Sequence, residues 1–343
     1  MKIAVTVDPY IPIPPEHYGG IERVVDFLVR GLLGRGHEVT LFAHPDSRTE
    51  GALVPYGAPP HVGRVPRAKE LWQVGSELYR LRGGIDLVHS FGRLAALFSI
   101  LPLRSLAKLQ TYQRDVLPRK GITRAVTLAG ASLGLTACAT HMYSSQSIAG
   151  DWTTVFNGVD LDKYSFVPTV APDAPLVFLG RVERIKGTHN AIAIAKAAGR
   201  RLLIAGNITD RSYFDTVVAP EIDDETILYL GPVDDVQKND LLGRAAALLM
   251  AIEWEEPFGI VMVEAMACGT PVIGFARGSV SEIVRDGVNG FIVRDVREAV
   301  TAVRKLPTLQ REIVRRDAEQ RFSADVIVSD YERLYERMVD SLR

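Results

Sequence analysis

A cluster of carboxylates opens residues 253–275, and one further carboxylate lies inside the apolar run that follows the cluster. The stretch reads EWEEPFGIVMVEAMACGTPVIGF. Pro257 is typical of a first helical turn and Gly269 of a helix end. The stretch therefore predicts a loop, a helix of about 10 residues, a tight turn and a buried strand. Glu264 would be a lone carboxylate on this apolar helix, which is costly to bury unless another group hydrogen-bonds to it.

The spacing of Glu256 and Glu264 argues against one kind of chemistry and favours another. On a single helix the two would lie about 12 Å apart, too far for the paired carboxylates of a glycosidase, which need about 5 to 9.5 Å. With Glu256 in the loop, the two can hold opposite ends of one extended ligand. The N–H groups of Phe258, Gly259 and Ile260 would open the helix, where a phosphate binds well. The alternative is a solvated acidic loop and a Glu264 with a structural partner.

A second candidate segment, residues 180–187, reads GRVERIKG and lies between a predicted strand and a predicted helix. Arg181 and Lys186 can both point toward the end of that strand, where two cations would stabilise a departing diphosphate. Each charge-assisted hydrogen bond is worth about 1.5 to 3 kcal/mol. The segment is not a P-loop, because the order G-x-x-x-x-G-K-[ST] is absent. A solvated basic turn is the alternative.

Length and composition limit the class of protein. With 343 residues the chain has room for two domains, each with its own core. Lys plus Arg (40) nearly balances Asp plus Glu (41), so the overall charge favours no nucleic-acid partner. The two cysteines, Cys138 and Cys268, are too few for a disulfide framework and suit a reducing cytoplasm. The N-terminus predicts a strand instead of a signal peptide, and no apolar run reaches the ~18 residues of a membrane span. We therefore expect a cytoplasmic protein.

Apolar strands alternate with helices along the chain, which predicts two parallel sheets covered on both faces. The strands predicted in the first half are 2–7, 39–42, 86–89, 108–112 and 153–156, with a helix ending near residue 33. Those predicted in the second half are 176–179, 202–205, 227–230, 247–252, 272–275 and 290–293, with a helix at 188–198. The predicted hinge lies between the halves, in residues 157–160 and the proline-rich segment 165–175. The expected domains are residues 1–160 and 161–322, and the tail 323–343 has helical apolar spacing.

The 253–275 stretch resembles the E-x7-E signature of retaining glycosyltransferases with the GT-B fold, in particular family 4, and the GRVERIKG segment adds to the resemblance. It implies an α/β protein of two Rossmann-like domains facing each other across a cleft. The first domain would bind the acceptor and the second the nucleotide sugar, and the C-terminal helix would cross back to the first domain.

The activity implied by the resemblance is transfer of a hexosyl group from a UDP- or GDP-sugar to an acceptor hydroxyl with retention of anomeric configuration. A departing phosphate oxygen would take the acceptor proton, so no cofactor, metal or enzymic nucleophile is expected. In agreement, the sequence offers no Asp-x-Asp at a plausible strand end and no His/Cys ligand cluster. The pathway would make a polysaccharide, a glycolipid or a glycosylated metabolite.

The resemblance also assigns roles to residues of the second half. Arg181 and Lys186 match the family's diphosphate ligands. Glu256 matches the residue that contacts donor-sugar hydroxyls, and Glu264 the one that binds the nucleotide ribose. Val233 matches the segment whose backbone receives the base.

In the first half, Gly19 and Gly20 match a glycine loop that lets the backbone approach the donor phosphates, since glycine has no Cβ. A simple turn before a helix is the alternative. Many family members carry a His after a threonine on a strand of the first domain, whereas this chain reads Thr111-Tyr112-Gln113 there, which leaves the identity of the donor sugar open. His89 is the best remaining imidazole for the active site, although a lone His at a strand end is commonly structural.

Basic residues concentrate in the 104–124 segment, just before an apolar run that ends near Cys138. They are Arg104, Lys108, Arg114, Arg119, Lys120 and Arg124. One hypothesis is that this segment faces a lipid-linked or phosphorylated acceptor, or the inner membrane surface as a peripheral contact. The alternative is a solvated loop followed by a buried helix.

Two other functional classes fit parts of the pattern. A GT-B sugar-nucleotide epimerase would share the fold but lacks this E-x7-E context. A non-catalytic sugar-nucleotide-binding partner would share the donor site, but the presence of Arg181, Lys186, Glu256 and Glu264 argues against a degenerate binder.

Overall fold

The computed structural model describes residues 1–15, 19–57, 64–114, 117–144 and 146–343, and the side chains of 64–67 are outside the description. The chain forms two compact units. Unit 1 contains Met1–Asn157 together with Ala324–Arg343, and unit 2 contains Gly158–Ser323. Among the described residues, no helix is both long enough and apolar enough to span a membrane.

Unit 1 is built on a seven-stranded sheet in which every recorded pair of neighbours is parallel. Its strands are β1 (Lys2–Thr6), β2 (Glu38–Ala43), β3 (Ala52–Pro55), β4 (Leu87–Ser90), β5 (Ala107–Tyr112), β6 (Leu133–Ala137) and β7 (Asp151–Thr154), in the order 3-2-1-4-5-6-7. Five of them were predicted with shifted ends, while β3 and β6 were not predicted. The run before Cys138 therefore ends in a buried strand, not in a helix alone.

The helices of unit 1 cover the sheet with apolar faces. They are α1 (Gly20–Gly34), α2 (Arg64–Leu81), α3 (Arg119–Ala129), α4 (His141–Ser144) and, from the end of the chain, α12 (Ala324–Asp340). α12 packs on α1 and buries Ile327, Tyr331 and Tyr335 in the core of unit 1. The predicted return of the C-terminal helix to the first domain is thus confirmed.

Unit 2 repeats the architecture on a six-stranded parallel sheet. Its strands are β8 (Leu176–Leu179), β9 (Leu202–Ala205), β10 (Ile227–Gly231), β11 (Ala247–Met250), β12 (Val272–Phe275) and β13 (Gly290–Val293), in the order 10-9-8-11-12-13. Its helices are α5 (Thr188–Ala198), α6 (Arg211–Tyr213), α7 (Asp235–Arg244), α8 (Ile260–Ala267), α9 (Val280–Ile283), α10 (Val296–Lys305) and α11 (Arg311–Phe322). The predicted α/β class with two Rossmann-like sheets is confirmed.

Both sheets reverse their strand order at one point, between β1 and β4 in unit 1 and between β8 and β11 in unit 2. At such a point the loops leaving the two central strands diverge to opposite faces, which opens a crevice beyond the carboxyl ends of the strands. Each unit therefore has one place where its topology favours a ligand site.

The basic 104–124 segment does not form one surface. Lys108 lies inside β5, fully buried, and its Nζ donates to the carbonyl oxygens of Ile100, Leu101 and Leu103. Burial lowers the pKa of Lys108 to about 8. The inclusion of Lys108 in an exposed basic patch was wrong, because its neutral partners are backbone groups of the interior. Residues 115 and 116 of the segment lie outside the described residues, and its contact with a membrane stays a prediction.

The contact between α1 and α12 leads to a stability prediction. A Cβ added at Gly31 would lie 2.6 Å from Cγ2 of Val328, whereas one added at Gly34 would meet no atom within 4 Å. We expect Gly31→Ala to destabilise the α12 contact by about 1–2 kcal/mol through overpacking, which corresponds to about 5- to 30-fold faster amide exchange in α12. Hydrogen exchange with mass spectrometry measures this.

Gly34→Ala is the matched control in the same helix and should leave exchange in α12 unchanged or slower, since alanine favours the helix. Equal exchange rates in the two variants would contradict the close packing of the two helices.

Candidate active site

The loops after β8 and β11, the two strands at the reversal point of the second sheet, are bound to each other. The backbone N–H of Glu253 donates to the carbonyl oxygen of Ile185 at 2.8 Å. Gly187 has φ of +73°, and a Cβ there would lie 1.8 Å from the carbonyl oxygen of Ala251. Only glycine permits this approach, which holds the 3₁₀ turn Arg184–Lys186 against the end of β11.

This docking brings together Lys186 and Glu256, two of the predicted site residues. Lys186 Nζ donates to Glu256 Oε2 at 2.6 Å, and the indole N–H of Trp254 donates to the same oxygen at 3.0 Å. Lys186 Nζ also lies 4.5 Å from the centre of the Trp254 ring, within range of a cation–π contact. The two side chains are only 16% and 9% exposed. A buried ion pair of this kind is weak evidence for stability, since desolvation offsets most of the attraction.

Glu256 is held from behind by the backbone. Its carbonyl oxygen accepts from the N–H of Ser279 at 3.0 Å, and the hydroxyl of Ser279 donates to the carbonyl oxygen of Phe258 at 2.7 Å. The side chain of Glu255, the residue before Glu256, accepts a hydrogen bond from the N–H of Gly278 but is largely exposed. The acidic cluster therefore divides into one buried, fixed carboxylate and an exposed neighbour.

Glu264 occupies the middle of α8 and is 5% exposed. Its Oε1 accepts from Lys238 Nζ and from the Tyr164 hydroxyl, each at 2.6 Å. Lys238 projects from α7, whose start is fixed by a capping box between Asp234 and Gln237. The partners that the sequence required for a buried Glu264 are thus a cation and a phenol.

The helix start between the two glutamates has the predicted residues in defined places. Gly259 is the N-cap of α8 with φ of +70°, and Ile260 is its first residue. Phe258 is buried, and its ring packs edge-on against Phe322 at a centroid distance of 6.1 Å. Phe258 therefore contributes to the core with its side chain and to the loop only with its backbone.

Two further predicted residues of unit 2, Arg181 and Val233, are not members of the Lys186–Glu256 ion pair. Arg181 follows β8 but pairs with Glu183 at 2.9 Å, and its side chain is 42% exposed. Val233 lies between the end of β10 and Asp234, partly exposed. A role for either in donor binding stays a prediction.

In unit 1, Gly19 precedes α1 and Gly20 is its first residue. A Cβ at Gly19 would lie 2.8 Å from Cβ of Pro15 and 2.9 Å from Oε2 of Glu22, so local packing already requires glycine there. A Cβ at Gly20 would meet no atom within 4 Å. Packing therefore gives no reason for the second glycine, and the phosphate-binding role of both stays a prediction.

His89 has a structural environment. Its ring is wholly buried, with Nδ1 2.5 Å from the Tyr335 hydroxyl and Nε2 2.6 Å from the Thr111 hydroxyl. Phe91 packs against it at a centroid distance of 4.1 Å. Burial lowers the pKa of His89 well below its usual value, so the ring is neutral. The hypothesis of an active-site imidazole is corrected: His89 joins the first sheet to α12.

Three site residues were missed by sequence reasoning, namely Tyr164, Lys238 and Trp254. The demand of a buried Glu264 for a donor was visible, but nothing near it in sequence identified Lys238. Trp254 could have been identified from the sequence, since it lies two residues before Glu256 in the stretch 253–275.

Two other kinds of reactive site, a cysteine nucleophile and a metal site, find no support in unit 2. Burial, with the nearby charge of Glu264, raises the pKa of the Cys268 thiol to about 12, so it is no nucleophile at neutral pH. In the part of the chain that the structure describes, no three or more His, Cys, Asp or Glu side chains group as metal ligands would.

Comparison with known families gives two matches that together cover most of the chain. Residues 167–321 match the model described as glycosyl transferases group 1, and residues 18–116 match the model of glycosyltransferase family 4. The first match contains the Lys186–Glu256 pair and Glu264. The second contains α1 and the loop that follows β4.

Individual relatives agree with these matches. Glycogen synthase of Mycobacterium tuberculosis is 26% identical over 91% of this chain and 88% of its own length. The D-inositol 3-phosphate glycosyltransferase of Mycolicibacterium smegmatis is 36% identical over 40% of this chain and 35% of its own length. The crystal structure of AviGT4, a glycosyltransferase involved in avilamycin A biosynthesis, has 27% identity and a TM-score of 0.75, covering 99% of this chain and 98% of that one. Anabaena HepE in complex with UDP and glucose shares the fold, with 18% identity, a TM-score of 0.72, and coverage of 98% and 100%.

The buried neutral His89 predicts a pH dependence of stability. The unfolded state takes up a proton near pH 6.5 while the folded ring resists it, so stability is full above that pH and is lost as the pH falls. From pH 7.5 to 5.5 this one group should cost on the order of 1 kcal/mol. His89→Gln cannot titrate, so its urea-unfolding profile should be flatter by that amount. Parallel pH profiles for the two proteins would contradict the neutral, buried ring.

Proposed function

We propose that this chain, which belongs to the GT-B glycosyltransferases with family 4 and group 1 domains, transfers a hexosyl group from a nucleotide diphosphate sugar to an acceptor hydroxyl with retention of configuration. The donor would be a UDP- or GDP-sugar. The observation that carries the proposal is the buried Lys186–Glu256 pair at the reversal point of the second sheet, inside the region that matches the group 1 model.

Lys186 suits the leaving group. An ammonium has three N–H donors, and Glu256 takes one of them, which leaves two for diphosphate oxygens. Glu256 and the face of Trp254 already fix the cation, so little reorganisation is needed when negative charge develops on the diphosphate. Arg181 would add a second cation after moving from Glu183.

The two glutamates suit the sugar hydroxyls of the donor. Within the described residues, the hydrogen bonds to Glu256 reach Oε2 and those to Glu264 reach Oε1. Each carboxylate therefore keeps a second oxygen to accept from a hydroxyl, that of the hexose at Glu256 and that of the ribose at Glu264. The backbone near Val233 would receive the base.

The reaction is proposed to proceed on one face of the donor sugar. The bond between C1 and the diphosphate oxygen breaks, the acceptor oxygen forms the new bond to C1 from the same face, and the released phosphate oxygen takes the acceptor proton. Glu256 acts as a hydrogen-bond acceptor in this scheme and not as a nucleophile, because its charge is committed to Lys186. In this scheme Lys186 and Arg181 stabilise the negative charge of the diphosphate in place of a divalent metal ion.

The pathway proposed is synthesis of a polysaccharide, a glycolipid or a glycosylated metabolite. The last option has support from AviGT4, which resembles this chain over nearly its full length and serves avilamycin A biosynthesis. UDP is supported as the nucleotide by the fold shared with HepE, which binds UDP and glucose.

Removing either member of the buried pair should abolish most of the transfer activity. We expect Lys186→Ala and Glu256→Gln to lower kcat/KM at least about 100-fold, because each removes charge that is fixed before the reaction. Nucleotide release from a panel of UDP- and GDP-sugars, with and without acceptors, is the assay. Glu255→Gln is the control, since this exposed neighbour should change the rate by no more than about twofold.

Thermal unfolding of all three variants shows whether they are folded. Turnover that survives in Lys186→Ala would sink the assignment, epimerised donor would favour the epimerase, and donor binding without turnover on any acceptor would favour the non-catalytic binder.

The mechanism predicts the stereochemistry of the product and its response to chelation. The anomeric configuration of the new bond should equal that of the donor, which proton NMR of the anomeric hydrogen reads directly. Excess EDTA should leave the rate unchanged, because Lys186 and Arg181 supply the charge. An inverted product, or a rate restored only by a divalent cation, would contradict the scheme.

A further inference from the structure

Unit 1 contains a cavity of about 580 Å³ at the reversal point of its own sheet. Its walls come from the loops after β1 (Val7, Asp8), after β4 (Phe91 to Ala95) and after β5 (Gln113, Arg114), and from α3. This volume lies in the range of about 300–1,000 Å³ that small-molecule sites occupy. Every lining residue that the structure describes belongs to unit 1.

The walls of the cavity are mainly apolar. Large apolar side chains that line it are Ile21, Phe91, Leu94, Leu101, Tyr112 and Leu128. Phe98, which also lines it, is 71% exposed, and Leu128 is 44% exposed. Two large apolar side chains left in water beside an apolar cavity are typical of a ligand-binding surface.

A few charged groups line the same space. They are Asp8, Glu22, Arg93, Arg114 and Arg124. Burial raises the pKa of Glu22, a backbone hydrogen bond and the charge of Arg114 lower it, and the charge of Asp8 raises it. Carboxylates in a largely apolar site fix the orientation of a hydroxyl-bearing ligand, because they accept hydrogen bonds from its hydroxyl groups.

We propose that the cavity binds the apolar body of the acceptor, so that the acceptor is a hydroxyl-bearing amphiphile with an alkyl, isoprenoid or aromatic portion. This rests on the proposed transfer of a hexosyl group. A free sugar fits less well, since most of its hydroxyls would lose water against the apolar side chains of Phe91, Leu94 and Leu101. The acidic groups Asp8 and Glu22 would receive the polar end of the amphiphile.

The chain offers a matched pair of variants for a test. Gly121 lies in α3 and lines the cavity, and a Cβ there would meet only Cβ of Pro118 at 3.7 Å. A tryptophan at this position can therefore enter the cavity without displacing the backbone. Gly34, at the end of α1 and outside the cavity lining, has no atom within 4 Å of its added Cβ, so Gly34→Trp is the control.

The probes are methyl, hexyl and octyl β-D-glucoside, used below their micellar concentrations with isothermal titration calorimetry. In the wild type and in Gly34→Trp, one saturable site should tighten about three- to fourfold for each added methylene until the cavity is full. Octyl glucoside should bind Gly121→Trp at least about 10-fold more weakly, since the indole occupies the space of the chain. Equal affinity for methyl and octyl glucoside, or an unchanged Gly121→Trp, would overturn the proposal.

Two further arms separate this inference from the proposed function. Chain-length-dependent binding without nucleotide release from any donor supports the cavity and contradicts the transferase activity. Transfer to glucose 6-phosphate or methyl glucoside as efficient as transfer to octyl glucoside supports the activity and overturns the amphiphile. Binding to anionic phosphatidylglycerol vesicles with no saturable glucoside site indicates a membrane-surface contact instead, and overturns the proposal as well.

Discussion

Two buried carboxylates set the constraint on which unit 2 depends. Glu256 and Glu264 can leave water only if cations accompany them, and each finds a lysine on a different element. Lys186 comes from the turn after β8 and Lys238 from α7. The Lys186–Glu256 pair therefore joins the loop before α8 to that turn, and the Lys238–Glu264 pair joins α8 to α7. The arrangement costs desolvation energy that apolar packing would avoid. The arrangement suits a charged site that is fixed before its ligand binds and is held in place by hydrogen bonds of the surrounding backbone.

One topology serves two kinds of chemistry in this chain. Each sheet reverses its strand order once, and the divergence of the loops there opens a crevice by geometry alone. In unit 2 the crevice residues are charged and paired, as Lys186 and Glu256 are. In unit 1 they are mainly apolar, with Phe91 and Leu94 after β4 and only a few charged neighbours. The division matches an anionic donor in one case and a largely apolar ligand in the other, and it arises from side chains and not from the fold.

The sequence predicted the strands of unit 2 well because each is a short apolar run, and some are bounded on both sides by glycine, proline or charged residues, as β8 and β9 are. β3 escaped because it is a half-exposed strand at the sheet edge that ends in proline, and β6 because it continues an apolar run from α3. At the site, the local sequence pattern identified Lys186 and Glu256 as candidates, but it did not predict that the two side chains form an ion pair. Lys238 and the environment of His89 depend on contacts between distant elements, which spacing along the chain does not encode.

The split composition of unit 1 has a consequence for how the protein is made. A ribosome releases β1 to β7 first, then all of unit 2, and only afterwards α12. Until that last helix emerges, the ring of His89 lacks the Tyr335 hydroxyl, and the apolar face of α1 lacks Val328. During this time part of the interior of the first sheet stays exposed to water, whereas unit 2 can already fold. Chaperones that recognise apolar surface would therefore meet the first half of the chain longest, and premature termination anywhere in unit 2 would leave it permanently unfinished.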